Sequence, residues 1–160
     1  MCHFLGKVSN YYVRSGKIKN PRRSIYAKDN YSVEELACKI YKPAYISLEY
    51  VLRKAGIIFQ YSSQITAISY LSRTLTIDGS EFVFRKIKNE LLYNTAGISM
   101  DDNGLSQATP ARAFLDTLYF NREYYFDSLE GLEKEEVLKV LPIYQSGKLT
   151  KKVHQLLKDA

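Results

Sequence analysis

Asp78-Gly79 stands between two runs of alternating residues, Arg73 to Ile77 and Glu81 to Ile87, and this arrangement narrows the possible folds most. A two-residue hairpin loop needs positive φ at its centre, which Asp-Gly supplies at little cost, so two antiparallel strands are expected here. Leu75 and Ile77 are expected to face Phe82 and Phe84, giving one apolar face that must be covered. Gln64 to Tyr70 is similarly rich in β-branched and aromatic residues and reads as a third strand. A further strand pair is expected around Asp101-Asp102-Asn103-Gly104, where turn chemistry is explicit.

The cover for such a sheet comes from amphipathic helices. Ser32 and Glu35 form a capping box ahead of Val33, Leu36, Ala37 and Ile40, which fall on one helical stripe. After Lys42-Pro43 a second helix is expected, capped by Ser47, with Leu48, Val51, Leu52 and Ala55 on its inner side, Glu49 paired with Arg53 outside, and Gly56 as its stop. Thr109 caps and Pro110 opens a third, where Ala111, Phe114, Leu115, Leu118 and Tyr119 form an apolar face and Arg112 and Asp116 are expected to pair outside. Glu133 to Leu141 and Thr150 to Lys158 read as a helical pair separated by Pro142. The fold class expected is therefore α+β, an antiparallel sheet covered on one face by helices.

Charge divides the chain unevenly. The net charge is +6, yet residues 1–28 hold seven Lys or Arg and no acid, while the remainder holds sixteen basic and seventeen acidic side chains. A block of this kind concentrates a polyanion and releases counterions on binding it, as nucleic-acid contacts do. The segment is also apolar enough to fold: Phe4, Leu5, Val8, Tyr11, Tyr12 and Val13 are interleaved at near-helical spacing before Gly16, predicting a helix that ends near Ser15. Lys17-Ile18-Lys19, a turn at Asn20-Pro21, and Arg22 to Ala27 then read as a basic hairpin. A helix followed by a basic hairpin is the second half of a winged helix, in which the helix approaches a groove and the wing contacts phosphates. Residues 1–30 are thus expected to form a partial winged-helix segment and residues 31–160 an α+β body.

Several function classes find little support in the sequence. No run of 18 apolar residues occurs, and the first twenty residues carry His3, Lys7, Arg14, Lys17 and Lys19 in place of a secretory core, so a cytoplasmic protein without membrane contact is expected. Cys2 and Cys38 are far apart and form no zinc or disulfide pattern. His3 and His154 lack metal-ligand spacing, and His154 reads as an exposed helix position. Gly16-Lys17 and Gly147-Lys148 lack the upstream glycine and the following Ser or Thr of a phosphate loop. Ser15, Ser62 and Ser63 have no adjacent base in the sequence. No catalytic residue, metal site or cofactor is expected.

Three stretches together resemble the AbiEi family of antitoxins and transcriptional regulators from type IV toxin–antitoxin systems. Val13-Arg14-Ser15-Gly16-Lys17-Ile18 through Arg22-Arg23-Ser24-Ile25-Tyr26-Ala27 is similar to the end of that family's recognition helix and its wing, although Ser24 stands where the wing usually has glycine. Pro43-Ala44-Tyr45-Ile46-Ser47-Leu48-Glu49-Tyr50-Val51-Leu52, ending Ala55-Gly56-Ile57-Ile58, is similar to its proline-tyrosine-isoleucine-serine helix. Ala108-Thr109-Pro110-Ala111-Arg112-Ala113-Phe114-Leu115-Asp116 is similar to its threonine-proline helix. Only about a dozen residues precede Val13, so the winged helix expected is a truncated one.

The resemblance implies an antitoxin that counteracts a nucleotidyltransferase-like toxin, typically without a stable complex, and that represses its own operon by binding its promoter DNA. On that reading Arg14, Lys17, Lys19, Arg22 and Arg23 are the DNA-contact candidates, acting mainly on phosphates, with Tyr11 and Tyr12 as helpers in the groove. Two other classes stay open on the residues alone. One is a nucleic-acid-modifying enzyme using Asp101 and Asp102 at a metal; the other is a protein-interaction module whose basic arm binds an acidic partner.

Overall fold

The structure, a computed structural model, describes residues 11–28 and 30–158. The expected helical positions Phe4, Leu5 and Val8, together with Cys2, His3, Lys7 and Asp29, lie outside the described residues.

Residues 11–14 are helical, and the chain leaves the helix at Gly16, whose φ of 71° suits a residue without a Cβ. The amide of Lys17 donates to the Tyr12 carbonyl at 2.9 Å, closing the helix end. The hairpin follows as β1 (Lys19–Arg22) and β2 (Ile25–Ala27), pairing Lys19 with Ala27 and Arg22 with Ile25. The turn falls at Arg23-Ser24 and not at Asn20-Pro21, which lie within β1, and Ser24 adopts a φ of 68° at the tip, where the resemblance led one to expect glycine.

The body is a six-stranded mixed sheet flanked by helices, so the α+β class stands while the strand directions need correction. In chain order the elements are α1 (Val33–Ile40), β3 (Ala44–Ile46), α2 (Glu49–Lys54), β4 (Ile65–Ser69), β5 (Arg73–Ile77), β6 (Ser80–Lys86), α3 (Asn89–Leu92), β7 (Ile98–Met100), β8 (Ser106–Ala108), α4 (Pro110–Phe120), α5 (Lys134–Val140), a 3-10 turn at Leu141–Tyr144, and α6 (Gly147–Lys158). The strand order is β5-β6-β4-β3-β8-β7. Pairs β5/β6, β3/β4 and β7/β8 are antiparallel, whereas β4/β6 and β3/β8 are parallel. The parallel β4/β6 pair arises because β6 inserts between β4 and β5. The three residues joining β4 to β5 span the two strand spacings, about 10 Å, that this requires.

The Asp78-Gly79 turn forms as read, with φ of 48° and 80°. Its register pairs Leu75 with Phe82 but places Phe84 opposite Arg73, and Ile77 opposite Ser80. Leu75, Ile77, Phe82 and Phe84 still share one face, because a strand alternates with period two.

Helices cover both faces of the sheet centre, not one. All five residues of β4 are buried. Tyr45 and Ser47 reach α4 on one side, while Tyr41, directly after α1, packs edge-on against Phe84 on the other at 4.9 Å. Residues Ala111 to Leu118 of α4 are all buried, so Arg112 and Asp116 do not pair outside: both are 0% exposed. The i,i+4 spacing that makes a surface ion pair serves equally when the helix is enclosed by the sheet, α2 and α5.

Three local readings also change. Ser47 does not cap α2; Leu48 occupies that position with φ of 61°, and the Tyr50 amide donates instead to the Thr66 hydroxyl at 3.0 Å. Arg53 donates to the Gln64 carbonyl at 3.3 Å and lies over the Tyr50 ring, in place of the expected pair with Glu49. The last helix begins at Gly147 instead of Thr150, because Ser146 caps it by accepting from the Leu149 amide. The capping box at Ser32 forms as expected, its hydroxyl accepting from the Glu35 amide, and His154 is exposed on α6.

Candidate nucleic-acid interface

The sequence expectation named seven residues for this interface, and the structure divides them. Tyr11, Tyr12, Arg14, Lys17, Lys19 and Arg23 are exposed on the helix end and hairpin, with Tyr11 at 69% and Tyr12 at 37%. The two tyrosine rings meet edge to face at 5.6 Å, and the Lys17 ammonium lies 5.8 Å from the Tyr12 centroid. A cation held near an aromatic ring at a helix end presents both a charge and a stacking surface to the same ligand.

Arg22 is different. Its guanidinium lies 4.7 Å from the Tyr41 ring centroid and donates to the Tyr41 hydroxyl at 3.2 Å. Its Nη1 is sealed from solvent with no hydrogen-bond partner among the described residues. Arg22 therefore faces the body and fastens the hairpin to it, and is no longer a natural phosphate contact. Tyr41 is the residue that sequence reasoning missed here. Its only signal was a tyrosine directly after an amphipathic helix, which says nothing of a partner nineteen residues upstream.

A groove of about 390 Å³ separates the hairpin from the β5–β6 turn, lined by Val13, Ile18, Lys19 and Pro21 on one side and Asp78 on the other. Asp78 accepts from the Tyr31 hydroxyl at 2.6 Å, and burial with this carboxylate pushes the Tyr31 phenol up to about 12. The Asp78 carboxylate on this wall disfavours an anion inside the groove, whereas Arg14, Lys17 and Arg23 are exposed outside its lining.

The buried polar cluster is the second feature with chemical potential. All five N–H donors of Arg112 are used: Nε to Asp116 at 3.2 Å, Nη1 to the carbonyls of Asn94 and Ala96 at 3.2 and 2.9 Å, and Nη2 to the Tyr45 hydroxyl and Leu91 carbonyl at 2.9 and 2.8 Å. Asp116 accepts from Tyr144 at 2.6 Å, Ser47 at 2.8 Å, Tyr45 at 3.1 Å and Arg112. Burial acts to lower the Arg112 pKa, but Asp116, Tyr144 and Tyr45 outweigh it and hold the guanidinium charged. Burial raises both tyrosine hydroxyls, so they remain neutral donors. With every Arg112 donor and both Asp116 oxygens engaged, the cluster locks α4 to the sheet and to the 3-10 turn.

Among the described residues, no three His, Cys, Asp or Glu side chains converge as a metal would require. Asp101 accepts from the Asn103 and Leu105 amides at 3.0 and 2.8 Å, the work of a turn residue. Cys38 is buried, its thiol donating to the Ser106 carbonyl, and burial pushes its pKa up. No helix among the described residues is long and apolar enough to cross a membrane. No protein-family model matches the chain, and no curated protein matches it.

Proposed function

We propose that the protein is a non-enzymatic regulator of the antitoxin type, one that contacts its own promoter DNA and counteracts a nucleotidyltransferase-like toxin. The observation that carries this reading is the set of exposed cations Arg14, Lys17, Lys19 and Arg23 on a helix–hairpin unit held to the body through Arg22 and Tyr41. An arm fastened in this way presents its charges together, which favours phosphate anchoring without being a condition for it. The Arg112–Asp116 cluster, bonded to Tyr45 and Ser47, favours a structural role for the most polar part of the core. The resemblance of three stretches to AbiEi-type antitoxins supplies the toxin class.

The test has two arms. Co-expression with a nucleotidyltransferase-like toxin is expected to restore growth, and a gel-shift series is expected to show tighter binding to the protein's own upstream DNA than to unrelated DNA. Toxicity unrelieved by the protein would remove the antitoxin role, and equal affinity for both DNAs would remove specific repression.

A protein-interaction role is favoured by a separate observation. The Phe59 amide donates to Asp127, and the Asp127 and Ser128 amides donate to the Ile57 carbonyl, binding two loops together. These loops display Phe59, Tyr61 and Tyr125 at 68%, 95% and 80% exposure. Aromatic side chains on a braced surface are typical interface anchors. Replacing Tyr61 and Tyr125 with serine is expected to abolish any protein partnership while leaving DNA affinity unchanged.

A further inference from the structure

We infer that a cavity beside the end of β6 binds an unpaired nucleotide of single-stranded nucleic acid, extending the contact that the hairpin begins; this rests in part on the nucleic-acid reading above. The cavity measures about 820 Å³, and its lining includes Tyr70, Tyr119, Lys86, Lys88, Asn89 and Glu90. That volume lies within the range of small-molecule sites, roughly 300–1,000 Å³. The lining combines the three chemistries a nucleotide needs. Tyr70, 44% exposed, offers a ring to a base; Lys86 and Lys88, both exposed, offer charge to a phosphate; and Asn89 and Glu90 offer hydrogen-bonding groups to a base or sugar edge. A duplex keeps its base faces stacked on one another, so a ring inside a cavity suits an unpaired base.

Side-chain contacts link the hairpin to the cavity wall. Arg22 lies on Tyr41, and Tyr41 meets Tyr70 edge to face at 6.2 Å. Arg73 and Lys86 sit on the sheet face that carries Phe84, and the Lys86 amide donates to the Ser72 hydroxyl at 2.9 Å. Arg73 and Lys86 are both exposed. The cavity wall is held in advance: Tyr144 is bonded to Asp116, and the Leu91 carbonyl to Arg112. A wall fixed before binding lowers the entropy cost of ordering the site.

The test measures anisotropy of labelled (dT)12, (rU)12 and a blunt duplex with the full chain. The variants are Tyr70→Ala, Lys86→Glu with Lys88→Glu, and a control with the exposed Lys139→Glu and Lys151→Glu outside the cavity. Tyr70→Ala is expected to weaken single-strand binding about tenfold or more. The Lys86–Lys88 variant is expected to weaken it further and to flatten its salt dependence, beyond any effect of the control. A preference for (dT)12 or (rU)12 would identify the strand type. Single-strand binding that is unmeasurable, or unchanged in both cavity variants, would overturn the inference. Failure of the duplex to bind while (dT)12 binds through the cavity would count against the hairpin reading and leave this one standing.

Discussion

Arg112 and Asp116 show most clearly what a single residue pair can decide. Two charges taken fully out of water are tolerated only when their remaining hydrogen-bonding capacity is satisfied, and here it is, by Tyr45, Ser47, Tyr144 and three backbone carbonyls. Asp116→Ala leaves the guanidinium buried without its counter-charge, so a loss of about 3–5 kcal/mol is expected in a denaturant melt; a loss under about 1 kcal/mol would contradict the account. Glu34 supplies a second prediction. Partial burial would raise its pKa, but donation from Tyr50, its own amide, Lys54 and Ser32 lowers it from the ordinary 4.5 to about 2. Because the folded value is depressed, Glu34 contributes stability that is present above about pH 4.5 and lost as pH falls toward 2. The acid limb of a stability-against-pH curve is therefore expected to flatten in Glu34→Gln, and an unaltered limb would refute the assignment. The sequence displayed the 112/116 spacing but not its burial. What places the pair inside is Tyr45 in β3 and Ser47 just after it, about seventy residues away, and no local pattern conveys such a distance.

Elements were legible where local chemistry dictates them. The Ser32 and Thr109 caps and the Asp78-Gly79 turn all form, because each satisfies backbone groups within a few residues. The sheet order was not legible, since inserting β6 between β4 and β5 depends on pairing between segments rather than on the pattern within either. Gly97 illustrates an element junction that tolerates nothing larger. Its φ is 70°, and a Cβ there would lie 2.9 Å from the Arg112 Cβ and 3.2 Å from a Val140 methyl. Gly97→Ala is expected to cost roughly 2 kcal/mol or more, read as a lowered thermal midpoint. The hairpin makes a matching prediction for Arg22. Arg22→Met keeps the apolar stem but removes the cation and the donor to Tyr41, a loss of about 1–2 kcal/mol in local anchoring. Limited proteolysis is expected to cut after Arg23 and Lys28 faster in this variant, and unaltered cleavage would show that the hairpin is held by other contacts.

At the scale of the whole molecule, six of the seven Lys and Arg residues of the first 28 lie among the described residues, between Arg14 and Lys28. The candidate interface was legible as a set of cations, but its internal division was not, since Arg22 differs from Arg23 only by the alternation that turns one toward Tyr41 and the other to solvent. The central claim is that the exposed cations, and not Arg22, anchor nucleic-acid phosphates. The most direct measurement is the slope of log affinity against log salt for a DNA duplex, compared among the wild type, Arg22→Met, and the triple variant Arg14→Ala, Lys17→Ala, Arg23→Ala. Each lost phosphate contact reduces the slope by about 0.9, so the triple variant is expected to fall by roughly 2–3 and Arg22→Met to keep the wild-type slope. A triple variant with an unchanged slope, or an Arg22→Met slope that falls as far, would contradict this account.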